Sequence, residues 1–381
     1  MKPVLHIGLL INPLAGLGGA LARKGSDGAA LRDIVQDMPE AQRQRASERA
    51  RRALQVLRDK GRSVEFSCWA GDMGADLLAQ MGFPAQVLGR RDESTSSAQD
   101  TRLAATHLQR AGIDLLLLAG GDGTARDILD VIDAGLPVLG IPAGVKMHSG
   151  VFAVSPEAAG ELLAVLADAG LVGLRTAEVR DIDEEAFRHD TVRSRYYGEL
   201  LVPAEGRFLQ HTKIGGREDP ELVAADIAAW VADTVEEGRL YLLGPGSTTA
   251  AIKQQLGISG TLLGVDVVRD GALLLADASE EDLLQLLESE SAPASVIVTP
   301  IGGQGHIFGR GNQQLSAAVL RRVGTENVLV IAAKSKIAAL QGRPLLVDSN
   351  DPELDLAMRG YRMVTTGYDD HVLYPVGFAG G

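Results

Sequence analysis

Asp122 lies in the run Gly120-Gly121-Asp122-Gly123-Thr124, directly after the apolar stretch Leu115 to Ala119. Glycines let the backbone come close to a ligand, and the free N–H groups and positive dipole end of a following helix favour phosphate. A carboxylate in such an anion-seeking turn is unfavourable unless it holds a cation or takes a proton from an attacking hydroxyl. The turn therefore points to phosphoryl transfer with a metal.

Other stretches carry residues of related chemistry. Asn12-Pro13 and the glycines Gly16, Gly18 and Gly19 follow the apolar run from Val4, and by themselves read equally as a flexible strand-to-helix connection. Pro142 to Gly150 contains Gly144 and two potentially cationic side chains, Lys146 and His148, which are either phosphate contacts or ordinary loop residues. Asp181, Asp183, Glu184 and Glu185 put four carboxylates within five residues. Such a cluster either holds a divalent cation, with Asp181 and Asp183 as the candidate ligands, or is an acid-rich helix start. Lys334 and Lys336 follow a strand end and are phosphate contacts or surface lysines.

These residues need a frame. Strands over 4–12, 63–69, 85–88, 115–119 and 137–141 alternate with helices over 41–60, 72–81, 98–111, about 124–134 and 156–169. That alternation implies parallel βαβ units in a doubly wound sheet, whose ligands lie beyond the carboxyl ends of the strands. On the helix ending at Lys60, Ala46, Ala50, Ala53, Leu54 and Leu57 share one face. Between Ala41 and Arg62 seven arginines and Lys60 stand against only Glu48 and Asp59, either a solvated face or an electrostatic surface for a polyanion or an acidic subunit. A boundary near Gly170 divides an α/β domain over 1–170 from a second, mixed α/β domain over 171–381. In the second, strands at 239–243, 294–299, 327–331 and 361–366 and helices at 221–235, 248–256 and 279–288 again meet glycine turns.

At 381 residues and 45% hydrophobic content, the chain has ample material for two cores. A net charge of −13 argues against duplex nucleic acid, and 4% aromatics leaves few stacking platforms for single strands. One cysteine, Cys68, excludes an intramolecular disulfide and fits a reducing compartment. The N-terminal apolar run imitates a secretion signal, but His6 interrupts it and Asn12-Pro13 ends it. No stretch approaches the ~18 to 20 apolar residues of a membrane span, so a soluble cytoplasmic protein without a membrane partner is expected.

Four stretches together resemble the ATP-NAD kinase superfamily, in particular its acetoin catabolism protein X-like branch: Ile11 to Gly19, Gly120 to Asp127, Gly140 to Lys146, and Thr299 to Gly305. Asp181 to Phe187 is also similar to that branch. The resemblance spans nearly the whole chain and implies a two-domain NAD kinase-like fold. It gives Asp122 the role of the base that activates the adenosine ribose 2′-hydroxyl of NAD. Gly120, Gly121, Gly123 and Thr124 would shape the nucleotide site. Gly246-Ser247-Thr248 is similar to a dinucleotide-binding turn of NAD kinases, and Gly302, Gly303 and Gly305 belong to the most discriminating stretch. ATP or polyphosphate as donor, magnesium or another divalent cation, and a homo-oligomer are implied with it. The chain departs from NAD kinases in lacking an Asn-Glu dipeptide in its second half, and in a mixed α/β rather than β-rich second domain. Two rival expectations stand beside an NAD kinase: a lipid or small-polyol kinase of the same superfamily, and a nucleotide-binding regulator without turnover.

Overall fold

The computed structural model describes residues 3–15, 44–92, 96–144, 147–182, 194–205, 220–301 and 303–378. The chain divides into two compact units. The first contains Val4–Asp168 and Leu174–Glu205, and the second Met1–Pro3, Ala169–Gly173 and Gly206–Gly381. The single boundary expected near Gly170 thus becomes a brief passage into the second unit and a return, because Leu174–Glu205 finds its packing partners in the first.

The first unit runs β1 (Leu5–Ile11), α1 (Arg45–Asp59), β2 (Val64–Cys68), α2 (Ala75–Met81), β3 (Ala85–Val87), α3 (Ala98–Arg110), β4 (Leu115–Gly120), α4 (Asp122–Leu129), β5 (Val138–Pro142), α5 (Pro156–Ala167), all but the first two residues of β6 (Val172–Ile182), and β7 (Ser194–Glu205). Strands β1 to β5 form a parallel sheet in the order β3-β2-β1-β4-β5. All six residues of β4 are buried, as expected of a central parallel strand covered on both faces. The chain winds outward from β1 to β3 and then crosses back to β4, so the sheet switches direction between β1 and β4. Ile11, Ala119 and Ile141 stand side by side in register, and the loops that follow them therefore leave the sheet at one level.

Leu10, Leu116 and Leu118 meet Ala104 and Leu108 of α3, Ala125 and Ile128 of α4, and Val179, Leu200 and Val202 of β6 and β7. Cys68 is fully buried, and burial pushes its thiol up to about 11, the behaviour of a packing residue. Helix α4 starts at Asp122, two residues before the expected Thr124. Extended Gly121 takes the cap position, which places Asp122 itself in the first turn. The helix also ends at Leu129 rather than Ala134, its last turn tightened by the Val131 N–H donating to the Ile128 carbonyl.

Ala46, Ala50, Ala53, Leu54 and Leu57 are the buried face of α1, as their spacing predicts. The basic face finds its acids on and beside α5. Arg52 pairs with Glu157 at 2.6 Å, Lys60 with Glu161, and Arg62 with Asp168 at 2.8 Å. Gly160 makes this approach possible, because a Cβ there would lie 2.3 Å from the Ala53 carbonyl oxygen.

The second unit runs α6 (Pro220–Thr234), β8 (Leu240–Leu243), α7 (Ser247–Gln255), β9 (Asp266–Arg269), β10 (Ala272–Leu275), α8 (Glu280–Ser289), β11 (Ala294–Val298), α9 (Ala317–Val323), β12 (Val328–Ile331), α10 (Lys334–Ala338), β13 (Leu345–Val347), α11 (Pro352–Ala357), β14 (Gly360–Gly367) and β15 (Asp370–Phe378). Strands β8, β11, β12 and β14 are parallel, flanked by antiparallel β9 and β10 on one side and antiparallel β15 on the other. The sheet is thus mixed, with helices against both faces. Leu240, Leu242, Val296 and Val298 pack with Leu283, Leu287, Val319 and Leu320, while alternate residues Tyr241, Leu243 and Ile297 pack with Ile227, Val231 and Ile252. Among the described residues no helix is long and apolar enough to cross a membrane.

Candidate functional site

Three turns of the first unit are stitched together around Asp122. The Asn12 side-chain amide donates to Thr124 Oγ1 at 2.8 Å, joining the turn after β1 to the first turn of α4. The same side chain's oxygen accepts from Leu14 N–H at 3.0 Å, which shapes the Asn12-Pro13 turn. The N–H groups of Ala143 and Gly144 donate to the Gly120 carbonyl, at 2.9 and 3.2 Å. Gly121 and Gly144 touch backbone to backbone, since a Cβ on Gly144 would sit 3.3 Å from the Gly121 Cα.

Asp122 is only 6% exposed. Its Oδ2 accepts from His148 N–H at 2.7 Å and its Oδ1 from Ser149 N–H at 3.1 Å, so one carboxylate fixes the loop after β5. The His148 ring turns the same way, with Nδ1 3.4 Å from Asp122 Oδ2, and remains partly open to solvent. Ser149 extends the clamp by exchanging hydrogen bonds with the Arg180 backbone of β6 through its hydroxyl. Each Asp122 oxygen retains a second lone pair, so the clamp leaves capacity to accept one further proton donor.

Asp181, at the end of β6, lies on the other side of the turn. Its Oδ2 is 3.1 Å from Arg126 Nη1 and would be 3.7 Å from a Cβ on Gly123. Burial opposes the Arg126 charge, but the Tyr197 hydrogen bond and the carboxylates of Asp181 and Asp127 outweigh it and raise its pKa. The Tyr197 ring lies 5.5 Å from the guanidinium carbon, a cation–π distance. Arg126 falls within the glycine-turn stretch but no local spacing marks its partners, which come from β6 and β7. Among the described residues no three metal-ligating side chains converge, and Asp181 faces a guanidinium. Of the two expected metal ligands only Asp181 lies among the described residues, and its carboxylate is engaged by Arg126. Asp183 lies outside the described residues, as do Gly16, Gly18, Gly19, Lys146 and Gly302.

Gly246, Ser247, Thr248, Gly303 and Gly305 belong to the second unit. Gly246, at φ +133°, caps α7; a Cβ there would meet Thr299 Cγ2 at 2.6 Å, so both its conformation and its contact require glycine. Its N–H donates to the Leu262 carbonyl at 2.9 Å. The loop carrying Leu262 hangs on a buried ion pair that sequence reasoning did not find. Lys253 Nζ lies 2.6 Å from Asp266 Oδ2, the two side chains being 3% and 0% exposed. Asp266 also accepts from Thr261 N–H, Thr261 Oγ1 and Asp277 N–H. Gly303 and Gly305 adopt left-handed φ values of +74° and +79° in the loop after β11.

No curated protein and no solved structure matches the chain. Two family models do: the ATP-NAD kinase N-terminal domain over residues 7–171 and the ATP-NAD kinase C-terminal domain over residues 236–376. The two matches cover most of the chain, one falling largely on the unit built around Asp122 and the other on the unit carrying Gly246. The chain therefore belongs to the ATP-NAD kinase family.

Proposed function

We infer that the protein is a phosphotransferase of the acetoin catabolism protein X-like branch, moving a phosphoryl group from ATP or polyphosphate to the ribose 2′-hydroxyl of NAD or a related nucleotide. The observation that carries this reading is the position of Asp122: a buried carboxylate in the first turn of α4, where the loops after β1, β4 and β5 meet. In the reaction the acceptor oxygen attacks the terminal phosphorus, the bond to the leaving phosphate breaks, and the hydroxyl proton passes to Asp122. The N-terminal end of α4 favours negative charge at that point. A divalent cation bound to the donor phosphates would offset the charge that develops on them during transfer.

A second reading has its own support. Both Asp122 oxygens already accept backbone N–H groups, a structural role that a nucleotide-binding regulator without turnover would retain. Incubation of the purified protein with magnesium, NAD and either ATP or polyphosphate, with NADP assayed beside Asp122→Asn, separates the two. NADP formation that falls at least ~100-fold in the variant supports the base role. Turnover of Asp122→Asn at the parent rate removes Asp122 as the base, and nucleotide-induced stabilisation without product favours the regulator.

A further inference from the structure

Lys334 and Lys336 leave the end of β12 together and have opposite fates. Lys334 reaches the carboxylate of Asp370. Lys336 has no carboxylate within ion-pair distance among the described residues, and its ammonium donates to Thr299 Oγ1 at 3.1 Å. Thr299 directly follows β11 and is 9% exposed. Its methyl lies against Gly246, which follows β8. Strands β8, β11 and β12 are consecutive and parallel in the sheet, so Gly246, Thr299 and Lys336 sit at the carboxyl ends of three neighbouring strands, the usual ligand edge of such a sheet. Burial alone lowers the Lys336 pKa, with no opposite charge to offset it. A cation held partly out of water and paired only with a hydroxyl is poised for an anion.

We propose that Lys336, positioned by Thr299, contacts a phosphoryl group of the ligand bound by the second unit. The ligand is a nucleotide phosphate on the reading above, although the pair would also accept an inorganic phosphate group. The site lies within the second unit and adds two residues to the turn at Gly246-Ser247-Thr248.

The test uses the full chain and its Lys336→Met and Thr299→Val variants. Thermal unfolding is followed with and without pyrophosphate, ATP and NAD, and affinities are measured by calorimetry. Lys336→Met is expected to unfold no earlier than the parent, because it removes a desolvated charge without a carboxylate partner. It is expected to bind the anions about 10- to 100-fold more weakly, the loss of one charge-assisted hydrogen bond, and Thr299→Val to show a smaller loss. Stabilisation by pyrophosphate as well as by the nucleotides identifies a general phosphate site, and stabilisation by the nucleotides alone a nucleotide site. Parent-like affinity in Lys336→Met for every probe, or no stabilisation of the parent by any of them, overturns the proposal. NADP formation by the parent is scored separately. Product with parent-like binding in Lys336→Met refutes this site alone, whereas Lys336-dependent binding without product refutes the NAD kinase reading alone.

Discussion

Replacing Lys253 with methionine tests how the second unit holds its glycine turn. At 2.6 Å and an effective dielectric constant near 20, the Lys253–Asp266 attraction is about 6 kcal/mol, comparable with the several kcal/mol needed to desolvate each ion. The intact pair thus adds little net stability, but removing one partner strands the other. Lys253→Met is expected to destabilise the unit by about 3 kcal/mol, the low end for a broken buried pair, because Asp266 keeps its hydrogen bonds from Thr261 and Asp277. Adding Asp266→Asn removes the stranded charge while retaining an acceptor, and is expected to recover roughly 1–3 kcal/mol as coupling energy. Urea unfolding followed by Trp230 fluorescence, in a Trp69→Phe background, isolates the second unit. The pH dependence supplies a second readout. Burial raises the Asp266 pKa, but Lys253, Asp277 and Thr261 together outweigh it and hold the carboxyl below its ordinary value. Its contribution is therefore complete above about pH 4 and is lost as pH falls through the lower folded value. A single variant that loses under ~1 kcal/mol, or a double variant less stable than Lys253→Met, refutes the account.

Two other substitutions probe packing and burial. Gly160→Ala forces a methyl against the Ala53 carbonyl and is expected to cost about 1–3 kcal/mol in thermal unfolding monitored at Trp69; a neutral result would show that α1 and α5 slide apart freely. His306 is 7% exposed, and among the described residues neither ring nitrogen has a hydrogen-bond partner, each such group costing about 1–3 kcal/mol. Burial and Arg310 lower its pKa against an opposing pull from Asp348, so the folded ring resists a proton that the unfolded chain accepts below about pH 6.5. His306→Leu is expected to raise the unfolding midpoint and flatten its decline below that pH, and a lowered midpoint contradicts this.

The first unit was more legible in sequence than the second. The run Leu115 to Ala119 between polar residues and glycines marks β4 and its turn, and the alanine and leucine spacing of α1 marks its buried face. Local patterns of that kind survive without knowledge of tertiary partners. Short elements such as β10, β13, α9 and α11 carry too few residues to show a period, and owe their form to neighbours distant in sequence. The same limit hides side-chain pairing. Nothing in the sequence distinguishes Lys334 from Lys336, or tells that Lys253 belongs with Asp266 and Arg126 with Asp181. Asp122 was conspicuous as a carboxylate among glycines, yet its hold on the His148 and Ser149 backbone emerged only from the fold.

The pairing of α1 with α5 has a consequence for how a ligand arrives. Glu157, Glu161 and Asp168 engage Arg52, Lys60 and Arg62 and so offset three of the eight positive charges in the most basic stretch of the chain. A phosphate-bearing molecule therefore approaches a body of net charge −13 against repulsion, and dissolved salt, which shortens the reach of that repulsion, speeds the encounter. Capture then depends on short-range donors at the turns, while the long-range field selects against anions.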